Sequence, residues 1–570
     1  MELKLIPQPK EIIETNNFLN KRKIRINLDG IDSRLVSILK KLPCDDNGIE
    51  LQLKIGSQNS EKYILELSEE KILLSSDGVQ GAFYGIQTLR QIFENEKIPC
   101  CKIVDCPAFS HRGFYHDITR GKVPTLETLK DLVDKMAYFK LNSLQLYVVH
   151  TFEFKEFSNS IEKTGYITAD EIKELDKYCQ DNFIELIPSL STFGHLFELL
   201  QRPEYKHLSE IEDFENEHIF WYERMTHHTI DPLNPQSFEL IKSLIDQYLQ
   251  LFSSNKFNIC CDETFDLKHG KHKDLDTGEL YVGFTNKIIE YLHSKGKEVM
   301  MWGDILLVHP EQVCAIPENV MLLNWEYDNC HKMIELKVKR FSDLNRQQIV
   351  CPGVNTWNRL CEKLSVSIEN IQMMAEVGYE YGAKGVLNTN WGDYGNPCSL
   401  ELSMCGLCFG AEKSWNVKTL AEEFFNKLDV VLYKHNGATE KLKKLSSILD
   451  GISWQSFVQY YSDMLYEKKL NPPLPSEEVI KAVQKDCDDF IAQIENEQWL
   501  NDEYRKEMLI AAEGIEVIAE IFAKVQDFEI ERHTNTKKWL EKYINEWLSK
   551  NKKSEISEIE KLFLTVGEEK

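Results

Sequence analysis

Residues 111–415 repeat one pattern, in which a short apolar run is followed by a longer amphipathic stretch. Apolar runs of five or six residues between polar turns are typical of buried strands, and apolar residues at every third or fourth position are typical of helices. Eight such units in succession are what a (β/α)8 TIM barrel requires. The predicted strands are Gly113–Ile118, Ser143–Val149, Phe183–Pro188, Phe257–Cys261, Glu298–Trp302, Val320–Trp325, Ile349–Gly353 and Gly385–Trp391.

The sequence on either side of this repeat has a different character. Residues 1–105 combine short alternating runs with one helix-like stretch, Ala82–Phe93, and this pattern predicts a small N-terminal α+β domain. Residues 416–570 are dominated by charged amphipathic helices such as Glu503–Val525. We therefore expect the barrel to span residues 106–415, and the helical C-terminal region to buttress it or to form a homodimer interface.

Composition excludes two classes of partner. The chain of 570 residues carries a formal net charge of −25. Nucleic acids and anionic membranes bind basic surfaces, so we expect neither as a partner. No run approaches the roughly 20 apolar residues of a membrane span, and Met1–Leu5 contain no apolar signal segment. These observations predict a cytoplasmic location.

The fifteen cysteines are irregularly spaced, and many lie in apolar runs, as Cys260 and Cys261 do. Cys405 and Cys408 form a lone CxxC unit, whereas cysteine zinc sites commonly combine two such units. We interpret the cysteines as reduced, buried small hydrophobic residues. The sequence therefore predicts neither a metal nor another cofactor.

Residue types suited to chemistry follow the ends of the predicted strands, which is where TIM barrels place their active sites. Asp262 and Glu263 follow the apolar run of strand four, and two ionisable groups are costly there unless they have a function. A salt-bridged pair at a strand end is the alternative. Tryptophans at four consecutive strand ends indicate a ring of aromatics around a ligand. The further candidates are Asp117, His150, His195, Trp302, Trp325, Trp357, Trp391 and Asp393.

Aromatic rings and carboxylates in one cavity suit sugars, because sugar C–H faces stack on rings and hydroxyls bind charged groups. Glycoside hydrolases usually employ two carboxylates about 5–9 Å apart on different strands, and an adjacent pair fits that scheme poorly. Three functions stay open on these grounds. They are a glycosidase that uses Asp262 and Glu263 together, a glycosidase with separated carboxylates such as Glu263 and Glu326, and a non-catalytic sugar-binding protein.

Several motifs in the correct order resemble family 20 of the glycoside hydrolases, the β-N-acetylhexosaminidases. The segment His111–Asp117, followed by Met136–Asn142, resembles the opening of that family's barrel. Asp262–Thr264 matches its catalytic Asp-Glu pair, and Gly81–Gln91 resembles the end of its small N-terminal domain. The resemblance covers roughly residues 60–410.

The resemblance implies retaining, exo-acting hydrolysis of N-acetylhexosamine glycosides or oligosaccharides, in which the acetamido oxygen of the substrate attacks C1. Substrate assistance of this kind is an exception to the two-carboxylate rule. Asp262 would stabilise the acetamido nitrogen as the oxazolinium forms. Glu263 would protonate the glycosidic oxygen and then activate water.

The resemblance also implies a set of sugar contacts. Arg112 would hold the O3 and O4 hydroxyls with its guanidinium. His195 matches a family histidine near the acid/base, and Asp393 stands where the family commonly has a glutamate that binds O4 or O6. Three of the tryptophans would line the pocket that holds the terminal sugar, namely Trp302, Trp325 and Trp391.

The chain departs from the family pattern at three places. His150 and Thr151 stand where many members have an acidic pair, and Ser191 and Phe193 replace an Asp and a Pro. Residues 354–358 show no counterpart of the strand-seven tyrosine that binds the acetamido oxygen. These changes leave the Asp-Glu pair intact and indicate a divergent branch of the family.

Overall fold

The computed structural model describes residues 3–157, 165–211, 221, 228–467, 469–529 and 535–568. The N-terminal part forms a six-stranded mixed sheet with the order β1-β6-β4-β5-β3-β2. Helix α2 packs its apolar side on this sheet, and α1 packs against α2. The bounds are β1 Glu11–Phe18, β2 Ile24–Arg25, α1 Ser33–Leu39, β3 Ile49–Ile55, β4 Tyr63–Leu67, β5 Lys71–Ser76, α2 Val79–Glu94 and β6 Pro99–Asp105.

Eight parallel strands close into a barrel, with the order β7 to β14 around the ring. The strands are largely buried on both faces because side chains fill the barrel inside and helices cover it outside, and every residue of Ser143–Val148 is accordingly buried. The predicted TIM barrel is confirmed. The strands are β7 His111–Asp117, β8 Ser143–Val148, β9 Glu185–Leu190, β10 Lys256–Asn258, β11 Glu298–Trp302, β12 Met321–Trp325, β13 Gln348–Cys351 and β14 Gly385–Asn390.

Helices alternate with these strands, as the apolar periodicity predicts. The first one begins where its capping residue requires, because the Thr125 hydroxyl accepts the Thr128 N–H at 3.3 Å. The helices of the barrel are α3 Leu126–Tyr138, α4 Ala169–Asp181, α5 Phe197–Leu200, α6 Pro235–Tyr248, α7 Thr277–Ser294, α8 Asp304–Val308, α9 His331–Asp343, α10 Leu364–Glu380 and α11 Met404–Trp415.

The fourth barrel strand is shorter than the sequence predicts. The apolar run continues to Cys261, but the strand ends at Asn258. Cys260, Cys261 and Glu263 have φ angles of +56°, +63° and +48°, in the left-handed region that residues with a side chain rarely adopt. A left-handed backbone cannot continue a β-ladder, so the chain leaves the barrel wall before it reaches the two carboxylates.

The C-terminal region is helical, as predicted, and it packs against the barrel. The Trp454 indole donates to the Tyr394 carbonyl and the Tyr543 hydroxyl donates to the Pro397 carbonyl, both at 2.9 Å, so the region buttresses the segment that follows β14. The helices are α12 Ala421–Leu428, α13 Ala438–Ile448, α14 Trp454–Tyr466, α15 Glu477–Ile494, α16 Asp502–Val525, α17 Thr536–Lys550 and α18 Ile556–Glu568.

Among the described helices, none combines the length and the apolarity that a membrane span requires.

Arg112 lies at the N-terminal end of β7, opposite to the end where a TIM barrel places its site. Its side chain is fully buried. The guanidinium pairs with Glu61 at 2.7 and 3.1 Å and donates to the carbonyls of Phe109 and Lys140 and to the Tyr84 hydroxyl at 2.9–3.0 Å. The prediction that Arg112 holds sugar hydroxyls is therefore wrong, because this arginine joins the barrel to the N-terminal domain.

We expect Arg112→Met to lower the free energy of unfolding by about 3–5 kcal/mol, because it leaves a partly buried carboxylate and several buried acceptors without their donor. Urea denaturation followed by tryptophan fluorescence measures the change. Arg25→Met is the control, because Arg25 and Glu50 form an exposed pair at 3.7 Å, and its loss should cost less than about 1 kcal/mol. Equal stability of the two variants would contradict this role of Arg112.

Candidate active site

The left-handed turn after β10 brings Asp262 and Glu263 to the C-terminal mouth of the barrel. Neighbouring elements hold this turn by hydrogen bonds to its backbone. The Tyr281 hydroxyl donates to the Cys261 carbonyl at 2.9 Å, and the Asp304 carboxylate accepts the Glu263 N–H at 3.0 Å. The strain of the turn is therefore supported from two sides, as is common at functional sites.

His195 lies between the two carboxylates. Its Nε2 is 3.2 Å from Asp262 Oδ2 and 3.2 Å from Glu263 Oε2, and the ring is almost completely buried. Burial by itself lowers the pKa of His195, but the charge of Asp262 and the hydrogen bonds to both carboxylates outweigh burial and raise the pKa to about 10. His195 is therefore a cation at neutral pH. The three groups are also close enough to ligate a cation, and the proton on Nε2 takes that place here.

A second arginine, Arg120, lies at the mouth where Arg112 was expected. Its Nη1 is 3.0 Å from Asp117 Oδ2 and 3.3 Å from Asp393 Oδ1, and its guanidinium lies about 5 Å from the rings of Tyr147 and Trp391. Burial raises the pKa of Asp393 to about 6, although Arg120 opposes the shift. The sequence does carry a signal for Arg120, because it follows the end of β7 by three residues.

Asp117 does not face a substrate position directly. Its carboxylate accepts the N–H groups of Thr119, Arg120 and Gly392 at 2.8–3.1 Å, in addition to the guanidinium of Arg120. The side chain is fully buried. Asp117 therefore positions Arg120 and ties the loop after β7 to the loop after β14.

Three of the four tryptophans surround a tyrosine that sequence reasoning missed. Tyr327 accepts the Trp391 indole N–H at 2.6 Å, stacks on Trp325 with ring centroids 5.1 Å apart, and contacts Trp357 at 5.1 Å. Trp302 is completely buried, 5.9 Å from Trp391. Trp302 therefore packs against Trp391 and exposes no surface to the pocket, contrary to the prediction that it lines the pocket. The signal for Tyr327 was its place two residues after the end of β12.

His150 and His195 line one pocket beside Asp262 and Glu263. Arg120 contributes a charged group to this pocket, and Trp221 and Tyr394 contribute aromatic rings. The Trp221 indole donates to Glu555 of the C-terminal region at 2.7 Å, so that region helps to hold one wall. The other lining residues are Thr119, Tyr147, Val149, Phe197, Glu198 and Gly395.

Two further carboxylates near the mouth have different surroundings. Asp304 is a neighbour of the catalytic pair, and burial together with the charge of Asp262 raises its pKa to about 7. Glu326 pairs with Lys337 at 2.7 Å and accepts the N–H groups of residues 327 and 328. Burial by itself raises the pKa of Glu326, but the hydrogen bond and charge of Lys337 and the two backbone N–H groups together outweigh burial and lower this pKa. Glu326 is therefore an anchored anion.

The stabilisation contributed by His195 should depend on pH. The pKa of His195 is about 10 in the folded chain and about 6.5 in an unfolded one, so unfolding releases a proton within this window. We expect the stability difference between wild type and His195→Gln to be complete below pH 6.5 and to disappear as the pH rises to about 10. Urea denaturation at several pH values measures it. The exposed His331→Gln is the control, and a constant difference for His195→Gln would contradict the assignment.

Comparison with known proteins identifies relatives over most of this architecture. Residues 109–344 match the model of "Glycosyl hydrolase family 20, catalytic domain", and residues 2–106 match that of "Glycosyl hydrolase family 20, domain 2". A beta-hexosaminidase of Porphyromonas gingivalis is 25% identical over 360 residues, which are 53% of this chain and 46% of that protein. The chain thus spans about half the length of this curated relative.

Solved structures share the fold at low identity. A chitobiase of Flavobacterium johnsoniae superposes with a TM-score of 0.62 at 18% identity and covers 98% of this chain and 99% of its own. An exo β-N-acetylglucosaminidase of Vibrio harveyi, in complex with N-acetylglucosamine, gives a TM-score of 0.59 at 18% identity over 75% of this chain and 76% of its own. Together the two family matches cover more than half of the 570 residues, and the chain belongs to family 20 of the glycoside hydrolases.

Proposed function

We propose that this protein is an exo-acting β-N-acetylhexosaminidase that releases terminal β-linked N-acetylglucosamine or N-acetylgalactosamine with retention of configuration. The observation that carries the proposal is the contact of His195 Nε2 with both Asp262 and Glu263. The names of the relatives and of the solved neighbours support the same substrate class.

The shared histidine argues against a mechanism with an enzyme nucleophile. In such a mechanism the sugar ring lies between two carboxylates that reach C1 from opposite faces. Here His195 occupies the space between Asp262 and Glu263, and both carboxylates come from one strand end. Glu326, the alternative partner, is held by Lys337 and by backbone N–H groups. The nucleophile is therefore supplied by the substrate.

The reaction follows from these positions. The acetamido carbonyl oxygen of the substrate attacks C1 and forms the oxazolinium, while Glu263 gives its proton to the departing glycosidic oxygen. Asp262 stabilises the positive charge that develops on the acetamido nitrogen. Glu263, now ionised, takes a proton from water as this water attacks C1. The bond between C1 and the acetamido oxygen breaks, so the oxazolinium ring opens and the acetamido group is restored. His195 holds both carboxylates in position throughout the reaction.

Arg120 and Asp393 supply a donor and an acceptor for the ring hydroxyls of the sugar. They lie 3.3 Å apart and both are at the mouth. Trp391 presents its ring beside them, and Trp221 and Tyr394 add aromatic walls to the neighbouring pocket. Action on terminal sugars is supported by the solved neighbour from Vibrio harveyi, which is an exo β-N-acetylglucosaminidase. A homodimer through the C-terminal region and a cytoplasmic location stay predictions.

Glu263→Gln tests the acid/base. We expect turnover of nitrophenyl N-acetylglucosaminide to fall by about 10²–10⁴-fold, because the amide cannot transfer the proton. Glu326→Gln is the matched variant, and its activity should stay within about tenfold of wild type. A larger loss for Glu326→Gln than for Glu263→Gln would favour separated carboxylates. If the wild type released no nitrophenol from either the N-acetylglucosaminide or the N-acetylgalactosaminide, a sugar-binding protein would be favoured.

Substrates and inhibitors that differ at the acetamido group test whether this group is the nucleophile. A glucoside that lacks this group should be cleaved hardly at all, and a thiazoline analogue of the oxazoline should inhibit far more tightly than the free sugar. Asp262→Asn should lower kcat sharply, because a neutral amide cannot balance the developing charge. A stable adduct of a 2-fluoro glycoside on an enzyme carboxylate, detected by mass spectrometry, would overturn substrate assistance.

Asp304 should influence the proton on the acid. When Asp304 ionises near pH 7, its negative charge raises the affinity of Glu263 for a proton. Asp304→Asn keeps an acceptor for the Glu263 N–H but removes this charge. We expect the basic limb of the kcat/KM profile to move to lower pH by roughly one unit, whereas Asp304→Ala should lower kcat as well. An unchanged basic limb in Asp304→Asn would exclude this influence.

A further inference from the structure

A second cluster of metal-ligating residue types lies on two loops next to the catalytic pair. Glu210 and Asp231 belong to the segment between β9 and α6, and His272 belongs to the segment between β10 and α7. One donor atom from each of the three side chains lies within 4.8 Å of the others. The mechanism proposed above uses none of these residues.

The geometry of the cluster is that of three donors around one point. His272 Nε2 lies 3.0 Å from Asp231 Oδ1 and 3.9 Å from Glu210 Oε2. The donor atoms around a tetrahedral zinc ion are about 3.4 Å apart. The two observed distances lie on either side of this value, so small side-chain movements are enough to place all three donors on one ion.

Glu210 provides an observation that the cluster alone does not. The residue is fully buried, and its Oε1 accepts the His272 N–H at 2.7 Å. Its Oε2 is also buried and accepts no hydrogen bond from any residue that the structure describes. A buried carboxylate oxygen without a donor is costly, and His272 Nε2 lies 3.9 Å from Oε2.

We propose that Glu210, Asp231 and His272 bind one divalent first-row cation, with Zn²⁺ as the expected ion. One imidazole nitrogen and two carboxylate oxygens suit zinc, whereas Ca²⁺ and Mg²⁺ prefer oxygen ligands alone. Three protein donors leave a fourth position for water. The N–H groups of Leu233 and Asn234 donate to Asp231 Oδ1 at 2.9 and 3.1 Å and orient this ligand.

Lys271 is the charge that competes with the cation. Its Nζ lies 3.5 Å from Asp231 Oδ2 and donates to the His207 carbonyl at 3.1 Å. The lysine therefore approaches the carboxylate oxygen that the proposed ion does not use, but its charge still opposes the ion.

The ion would tie together the two loops that carry the catalytic groups. The loop of Glu210 and Asp231 follows His195, and the loop of His272 follows Glu263. The two loops already meet where the Asp266 carboxylate accepts the Thr229 N–H at 2.7 Å. The role of the ion is therefore structural, and it should raise thermal stability without taking part in hydrolysis.

The test is a Co²⁺ titration of the metal-stripped full-length protein. The background carries Cys44→Ser, Cys314→Ser and Cys330→Ser, because these three thiols are exposed and bind cobalt themselves. We expect one Co²⁺ per chain, visible d–d absorption without a thiolate charge-transfer band, and a higher thermal midpoint.

Variants of the same background identify the ligands. Glu210→Gln and His272→Gln should each weaken binding by at least about 100-fold. His269→Gln, an exposed histidine on the same loop, should bind as the background does. Lys271→Met should bind several-fold more tightly, because a competing positive charge is gone.

Three outcomes would overturn the proposal. They are cobalt bound only through thiolates, undiminished binding in both Glu210→Gln and His272→Gln, and no specific binding at all. If these two variants do not fold, Lys271→Met decides, and an affinity equal to that of the background would count against the site.

Discussion

The protonated imidazole of His195 between Asp262 and Glu263 is the interaction on which the site depends. It neutralises part of the charge of two adjacent carboxylates and holds them at one end of the barrel. Close approach of two chain segments makes it possible. A side chain at Gly194 would come within 2.4 Å of the Asp262 carbonyl, so only glycine lets the loop after β9 lie against the turn after β10.

The backbone of that turn is strained, and packing maintains the strain. Left-handed angles recur at Cys260, Cys261 and Glu263, and His195 itself has φ +58°. Hydrogen bonds from Tyr281 and to Asp304 hold the turn, and the barrel strands beneath it are buried on both faces. The C-terminal helices add support from outside, since they fix the loop after β14. A rigid scaffold therefore carries a catalytic pair in a conformation that a free chain would avoid.

The ionisable groups at the mouth are kept in different protonation states by their neighbours. Glu326 is held as an anion by a lysine, whereas burial raises the pKa values of Asp304 and Asp393 to about 7 and 6. The cations Arg120 and His195 each contact two carboxylates. The mouth of the barrel thus combines fixed charges with groups that exchange protons near neutral pH.

Sequence periodicity was enough to predict the barrel, because buried strands and amphipathic helices differ in the order of their apolar and polar residues. The same reasoning located Asp262 and Glu263, since ionisable residues after an apolar run are conspicuous. It assigned the sugar contact to Arg112 and overlooked Arg120, which stands eight positions later. A strand rises about 3.3 Å per residue, so the strand bounds decided which arginine reaches the mouth.

Contacts between segments that are distant in the chain could not be predicted from the sequence. The approach of Tyr327 to Trp391, of Trp221 to Glu555, and of Glu210 to His272 depends on where each loop lies after the barrel has closed. The left-handed turn at 260–263 was hidden for the same reason, because an apolar run carries no signal of a φ angle that only tertiary packing stabilises. Local pattern therefore determined the fold and the catalytic pair, and tertiary structure alone decided which side chains surround that pair.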